Sequence, residues 1–128
     1  MDWGMKNRLS RIIKPETGKA VMLAVDHGYF LGPTSGLEDA AKTIAPLLPF
    51  ADSLMCTRGV LRNCVDPRQP TPIILRVSGG NSILKEDLSD ENITVSIEDA
   101  IRLNVSAMAL SIYVGSEHEH QKIGRAHV

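Results

Sequence analysis

Long hydrophobic runs are absent from this 128-residue chain. No apolar stretch approaches the ~20 residues that a membrane-crossing helix needs, and the amino-terminal segment has no apolar signal core. Charge of one sign is absent too. The formal net charge is −1, so no broad field attracts nucleic acid or an anionic membrane. Cysteine is scarce, with only Cys56 and Cys64. Two thiols at that spacing make neither a zinc site nor a disulfide scaffold, and Cys56, inside an apolar run, reads as a small hydrophobe. These absences predict a cytoplasmic protein. Internal repeats, low-complexity tracts and clear linkers are also missing, and the length suits one domain.

Four apolar runs read as buried strands: Val21 to Val25, Ala51 to Cys56, Pro72 to Val77, and Ala107 to Val114. Helical patterns lie between them. In Gly36 to Leu48, the residues Leu37, Ala40, Ala41, Ile44 and Leu47 recur on roughly one face. Ser96 to Leu103 repeats the pattern with Ile97, Ala100, Ile101 and Leu103. Ser35-Gly-Leu-Glu38 and Ser116-Glu-His-Glu119 have capping-box form, and Ser96-Ile-Glu-Asp99 is a variant of it. Pro46 and Pro49 are expected to end the first crossover helix. Arg58 to Arg62 reads as one helical turn, and Ser78 to Asn92 as a long polar crossover. Upstream, Met5, Leu9, Ile12 and Ile13 form a two-turn apolar stripe among Lys6, Arg8, Arg11 and Lys14. A helix packed beneath a sheet or barrel explains it better than a membrane or transit-peptide helix.

The order is thus one short helix followed by four β-α units. A (β/α)8 barrel takes roughly 250 residues, so the expected fold is α/β, the first half of such a barrel.

In α/β folds, chemistry collects at the carboxyl ends of the strands. Those ends present Asp26 and His27, then Thr57 and Arg58, then Ser78, Gly79 and Gly80, then Tyr113, Gly115 and Ser116. A carboxylate, a guanidinium, a phenol and small polar groups suit a polar, anionic small metabolite. Asp26 is suited to proton transfer or to orienting a cationic intermediate; its duller role is to cap the next turn. His27 is a site candidate or a hydrogen-bonded supporting group. Arg58 is a substrate-binding candidate or the partner of a nearby carboxylate. Ser78 and Tyr113 are substrate-binding candidates, Tyr113 also reading as packing with its hydroxyl at the rim. Gly79-Gly80 is an incomplete phosphate-loop pattern. Glu117-His118-Glu119-His120 is not a metal site by its spacing, because histidines two apart on a helix point apart. No metal is expected.

Several strings closely resemble one family. They are Asp2-Trp-Gly-Met-Lys-Asn-Arg-Leu-Ser-Arg11, Val21 through Thr34 with its Asp26-His27-Gly28, Leu54-Met-Cys-Thr-Arg-Gly59, Leu75-Arg-Val-Ser-Gly-Gly-Asn-Ser82, and Tyr113-Val-Gly-Ser-Glu-His-Glu-His-Gln121. The family is that of archaeal-type class I aldolases, and the longer strings point to its thiolase branch. The resemblance covers residues 2 to about 122. It implies a barrel in a homo-oligomer, with coenzyme A as co-substrate and no bound cofactor. It further implies transfer of an acetyl group from a phosphorylated dione to coenzyme A, giving dihydroxyacetone phosphate and acetyl-CoA. The family's chemistry runs through a lysine Schiff base on the sixth strand, whose protonated imine is an electron sink. Asp26 matches the first-strand aspartate beside that lysine.

The chain departs from the family at one essential point. None of Lys6, Lys14, Lys19, Lys42, Lys85 and Lys122 matches the Schiff-base position. The expected organisation is a half barrel over residues 1–122 and a non-native tail over 123–128, because Ile123-Gly-Arg-Ala-His-Val128 resembles the translation of a short-read sequencing adapter. Such a half barrel is expected to be inactive alone and to aggregate, dimerise or stay partly unfolded, since its edge strands are unpaired. Two other readings remain. One is a fructose-bisphosphate aldolase of the same family. The other is a non-catalytic α/β module that binds phosphate through Gly79-Gly80 and Ser116.

Overall fold

A computed structural model describes residues 1–32, 34–80 and 90–126. The chain opens with helix α1 (Trp3–Ile12), whose Asp2 carboxylate accepts from the Met5 N–H at 2.7 Å. Strand β1 (Met22–Ala24) follows, then the short helix α2 (Gly28–Leu31) and helix α3 (Ala40–Leu47). A 3₁₀ turn at Leu48–Phe50 leads into strand β2 (Ser53–Thr57) and helix α4 (Arg58–Cys64). Next come strands β3 (Ile73–Arg76), β4 (Ser78–Gly79) and β5 (Asn92–Ile93), helix α5 (Ile97–Arg102), strand β6 (Ala107–Ala109) and helix α6 (Glu119–Ala126).

Strands β1, β2, β3 and β6 form one parallel sheet in that order. Each successive parallel strand is reached through a helical crossover, which is the geometry of a half barrel. The pair β4–β5 is a separate small antiparallel ladder at the carboxyl end of β3.

The four strands fall where the apolar runs predict, but they are shorter. Burial also differs across the sheet. The central strands are covered, with Leu54, Cys56 and Leu75 fully buried. At the edges Met22 is 44% and Met108 45% exposed, against the expectation of strands buried on both faces. The reason is position: β1 and β6 each have a neighbour on one side only.

Leu54 and Cys56 pack with Val25, Ala40, Ile44 and Ile73, while Leu75 and Val77 pack with Val95 and Ala100. The odd-even alternation of a strand therefore sends Leu23, Val25, Leu54, Cys56, Ile73, Leu75 and Val77 toward the helices. Helix α3 starts at Ala40, not Gly36. Asp39, rather than Ser35, caps it, accepting from the Lys42 N–H at 3.2 Å. Gly36 instead sits in a turn at φ +87°, where its N–H meets the Glu38 carboxylate. Nor does Pro46 end the helix; it lies inside it, and the Leu48 N–H still reaches the Ile44 carbonyl. Ala41, Leu47 and Ile101 are exposed despite their apolar pattern. Ser96 caps α5 as its motif predicts, accepting from the Asp99 N–H at 3.1 Å. The polar crossover Ser78 to Asn92 contains β4 and the start of β5, and its residues 81–89 lie outside the described ones.

No helix among the described residues is long and apolar enough to cross a membrane. In α1 only Ile12 of the apolar stripe is buried, while Met5 and Leu9 remain 49% and 39% exposed.

Truncating a fully buried central side chain should therefore cost far more than truncating an edge one. Leu54→Ala is expected to lose about 2–5 kcal/mol, and Met22→Ala less than about 1 kcal/mol. Urea unfolding of the two variants checks the contrast.

Candidate active site

The face of the sheet turned away from the helices carries the other half of each strand. Ala24, Met55, Ile74 and Ala107 lie in one register row across it. The next row toward the carboxyl ends holds Thr57, Arg76 and Ala109, with Asp26 two residues beyond Ala24. Strand alternation thus puts a carboxylate and a guanidinium side by side at one mouth.

Arg76 is the centre of the site. Its side chain is 11% exposed, and Nη1 lies 3.6 Å from Asp26 Oδ2 while Nη2 lies 3.4 Å from Glu91 Oε2. Its Nε donates to the Ser78 carbonyl at 3.3 Å. Nη2 also donates to the Tyr29 and Ser111 hydroxyls, and the guanidinium carbon sits 4.4 Å from the Tyr29 ring centre. The planar cation is held by charge, hydrogen bonds and an aromatic face together.

Glu91 gathers the remaining donors. The Ser78 hydroxyl donates to Oε2 at 2.6 Å, and those of Tyr29 and Tyr113 donate to Oε1 at 2.5 and 3.2 Å. Burial alone would push this carboxyl up. The Ser78 and Tyr29 hydroxyls and the Arg76 charge outweigh it, and the group ends below the ordinary glutamate range. Burial and the bond to Glu91 push the Tyr29 phenol well above its usual value. Burial, with the Asp26 charge second, pushes the Cys56 thiol up to about 12.

The residues singled out from the sequence divide into three groups. Asp26, Ser78 and Tyr113 belong to this one network. Asp26 is 6% exposed, and its main-chain carbonyl, not its carboxylate, closes the next turn by accepting from the Tyr29 N–H at 3.1 Å. Arg58 borders the same opening, a 240 Å³ cavity it shares with Arg76, Ser78 and Gly80, but its guanidinium pairs with Asp99 at 3.1 Å. The carboxylate partner is the arrangement the structure shows. His27 stands at the amino end of α2 and makes no side-chain capping bond there; its carbonyl accepts from Leu31 N–H at 3.1 Å. Gly79, offered with Gly80 for phosphate, backs onto the Tyr29 ring, 3.4 Å from where its Cβ would be. Ser116 Oγ is buried without a hydrogen-bond partner among the described residues.

Sequence reasoning missed Arg76, Glu91 and Tyr29. Arg76 was legible: it is the one charge inside the apolar run Pro72 to Val77. Glu91 lies in a polar crossover, where one more carboxylate carries no signal.

No family model matches the chain. Among curated proteins it is 61% identical over 123 residues to an uncharacterized aldolase of Pasteurella multocida. It is 59% identical over 123 residues to the 3-hydroxy-5-phosphonooxypentane-2,4-dione thiolase of Photorhabdus laumondii. Each match covers 96% of this chain and 42% of the relative, so the chain spans less than half the length of the proteins it resembles. Among solved structures, an archaeal fructose-1,6-bisphosphate aldolase superposes with a TM-score of 0.77 at 26% identity, over 95% of this chain and 49% of that one. The chain is thus similar, over nearly all of its own length, to aldolases and to a thiolase, and shares its fold with an archaeal class I aldolase. Its four parallel β-α units superpose on half of that aldolase's (β/α)8 barrel.

The fold explains why the network sits where it does. The carboxyl-terminal mouth is the reactive face of such barrels, and Asp26, Arg76, Ser78 and Ser111 all stand on it.

Two outcomes follow from the electrostatics. Glu91 has a depressed folded pKa, so its contribution is present above the ordinary carboxylate value, about 4.3, and is lost as pH falls through the folded value. Stability should drop below about pH 4, and less steeply in Glu91→Gln; urea unfolding between pH 3 and 6 checks this. Cys56, buried and protonated, should resist iodoacetamide at pH 8 in the folded chain, with mass spectrometry finding label at the less buried Cys64 first.

Proposed function

We propose that this chain supplies the first four β-α units of an enzyme that moves an acetyl group from 3-hydroxy-5-phosphonooxypentane-2,4-dione to coenzyme A. Its products are dihydroxyacetone phosphate and acetyl-CoA. The observation that carries the reading is the 59% identity to a protein of that name across nearly the whole chain.

The chemistry divides between this chain and the remainder of a barrel. A lysine amine condenses with the C4 ketone and releases water, leaving a protonated imine. Coenzyme A thiolate adds to the C2 carbonyl, and the C2–C3 bond breaks. Its electron pair passes into the imine as an enamine, which is protonated and hydrolysed to release dihydroxyacetone phosphate. Among the described lysines, Lys6, Lys14, Lys19 and Lys42 are exposed, so none of these four is placed for the imine. Asp26 is suited to shuttle the protons that imine formation and enamine protonation require. The archaeal aldolase that superposes on this chain has its catalytic Lys covalently bound to a carbinolamine intermediate, which supports a covalent amine route on this fold.

The enzyme operates as a homo-oligomer in the cytoplasm, uses coenzyme A as co-substrate and holds no resident cofactor. The chain alone, with its open sheet edges, is inactive.

The test begins with the source DNA, read through the codon for Lys122 with long reads. A frame that continues into four more β-α units with a lysine on the sixth strand supports the reading; a stop after Val128 removes it. Borohydride with the dione should then trap a covalent adduct on the extended protein, and acetyl-CoA should form only when coenzyme A is supplied. Cleavage of fructose 1,6-bisphosphate without coenzyme A would favour the aldolase instead. Asp26→Asn should lower kcat at least about 100-fold, or about 2.7 kcal/mol of barrel-bound transition-state stabilisation.

A further inference from the structure

Asp26 has a charge partner but, among the described residues, no hydrogen-bond donor. Arg76 Nη1 stops 3.6 Å short of it, beyond hydrogen-bond distance. A guanidinium beside a carboxylate ordinarily closes to a bidentate pair with both oxygens occupied. Here the closure is prevented from the other side. Glu91, with a fully buried carboxylate, draws Nη2 away together with the Tyr29 and Ser111 hydroxyls; the Ser78 carbonyl takes Nε; and the Tyr29 ring covers one face. Glu91 is itself fixed by three hydroxyls, those of Ser78, Tyr29 and Tyr113.

We propose that Glu91 and Arg76 are positioning residues for Asp26. Glu91 anchors the guanidinium, and the guanidinium lends Asp26 its charge while leaving the carboxylate oxygens open to a reacting proton. The proposal rests on the Schiff-base reading above, because it assigns Asp26 the proton transfers of that reaction. It makes a distinction that a merely supporting role would not. Loss of Glu91 lets Arg76 swing onto Asp26 and occupy the oxygens the chemistry needs, so the damage passes through Asp26.

The experiment is a double-mutant cycle in the extended protein. Glu91→Gln should lower kcat roughly 10- to 100-fold with KM changed less than about twofold, and borohydride should still trap as much adduct as in the unmutated protein. In an Asp26→Asn background the same change should cost less than about threefold, because the group it acts through is gone. Equal losses in both backgrounds would overturn the proposal, as would unchanged kcat in Glu91→Gln. A loss of activity fully explained by a smaller folded fraction, read from thermal unfolding, would also overturn it. Failure of the Schiff-base reading shows separately, as an unmutated protein that borohydride does not trap. Nitrogen-15 arginine NMR decides the anchoring without any turnover. The Arg76 Nη2 protons should exchange slowly in the unmutated protein and in Asp26→Asn, and quickly in Glu91→Gln; the reverse order would contradict it.

Discussion

The buried cation of Arg76 is the constraint on which the mouth of this half barrel depends. A guanidinium cannot be withdrawn from water unless its charge is matched and its donors are engaged. Asp26 comes from the end of β1, Glu91 from the start of the segment leading to β5, Ser78 from β4 and Ser111 from beyond β6. Matching one charge therefore ties together the carboxyl ends of three strands of the main sheet and the small ladder beside them. Breaking a buried pair from one side typically costs about 3–5 kcal/mol, because it strands the partner charge. The same network that could perform chemistry is thus also part of what holds the loops over the sheet.

The scaffold beneath is simpler. Apolar side chains alternate toward the helices, with Leu54, Cys56 and Leu75 at its centre and Ile44 pressed onto them from α3. At the edges this cover thins. Met22 and Met108 are each nearly half exposed, and each belongs to a strand with an open side. In a closed barrel every strand has two neighbours. The chain matches only about half the length of the aldolase it superposes on, and its exposed edges lie where further strands of that fold would pair.

Local chemistry accounts for what was readable along the chain. The uninterrupted apolar runs marked every strand of the main sheet, since both faces of a parallel strand are ordinarily covered. Ser96 marked the start of α5, since its hydroxyl satisfies a free N–H whatever lies beyond it. Boundaries were less legible. Asp39 displaced Ser35 as the cap of α3 because Gly36 takes a positive φ that breaks the helix there. Pro46 stayed inside that helix because it removes only one N–H near the end, and the Leu48 N–H still finds the Ile44 carbonyl. The ladder between Ser78–Gly79 and Asn92–Ile93 joins residues more than a dozen apart, and nothing in either dipeptide announces it.

The sequence by itself determined the alternation of strands and helices, the placing of Asp26 and Ser78 at strand ends, and the family resemblance. These follow from periodicity, capping and residue strings, all of which are local along the chain. Only the tertiary structure decided which charges meet. It paired Arg58 with Asp99, where the spacing of the motifs left the partner open, and it set Arg76 between Asp26 and Glu91. The physical reason is that ion pairing depends on distance in space and on exclusion of water. Both are fixed by sheet register and crossover packing, and neither is written in the order of the residues.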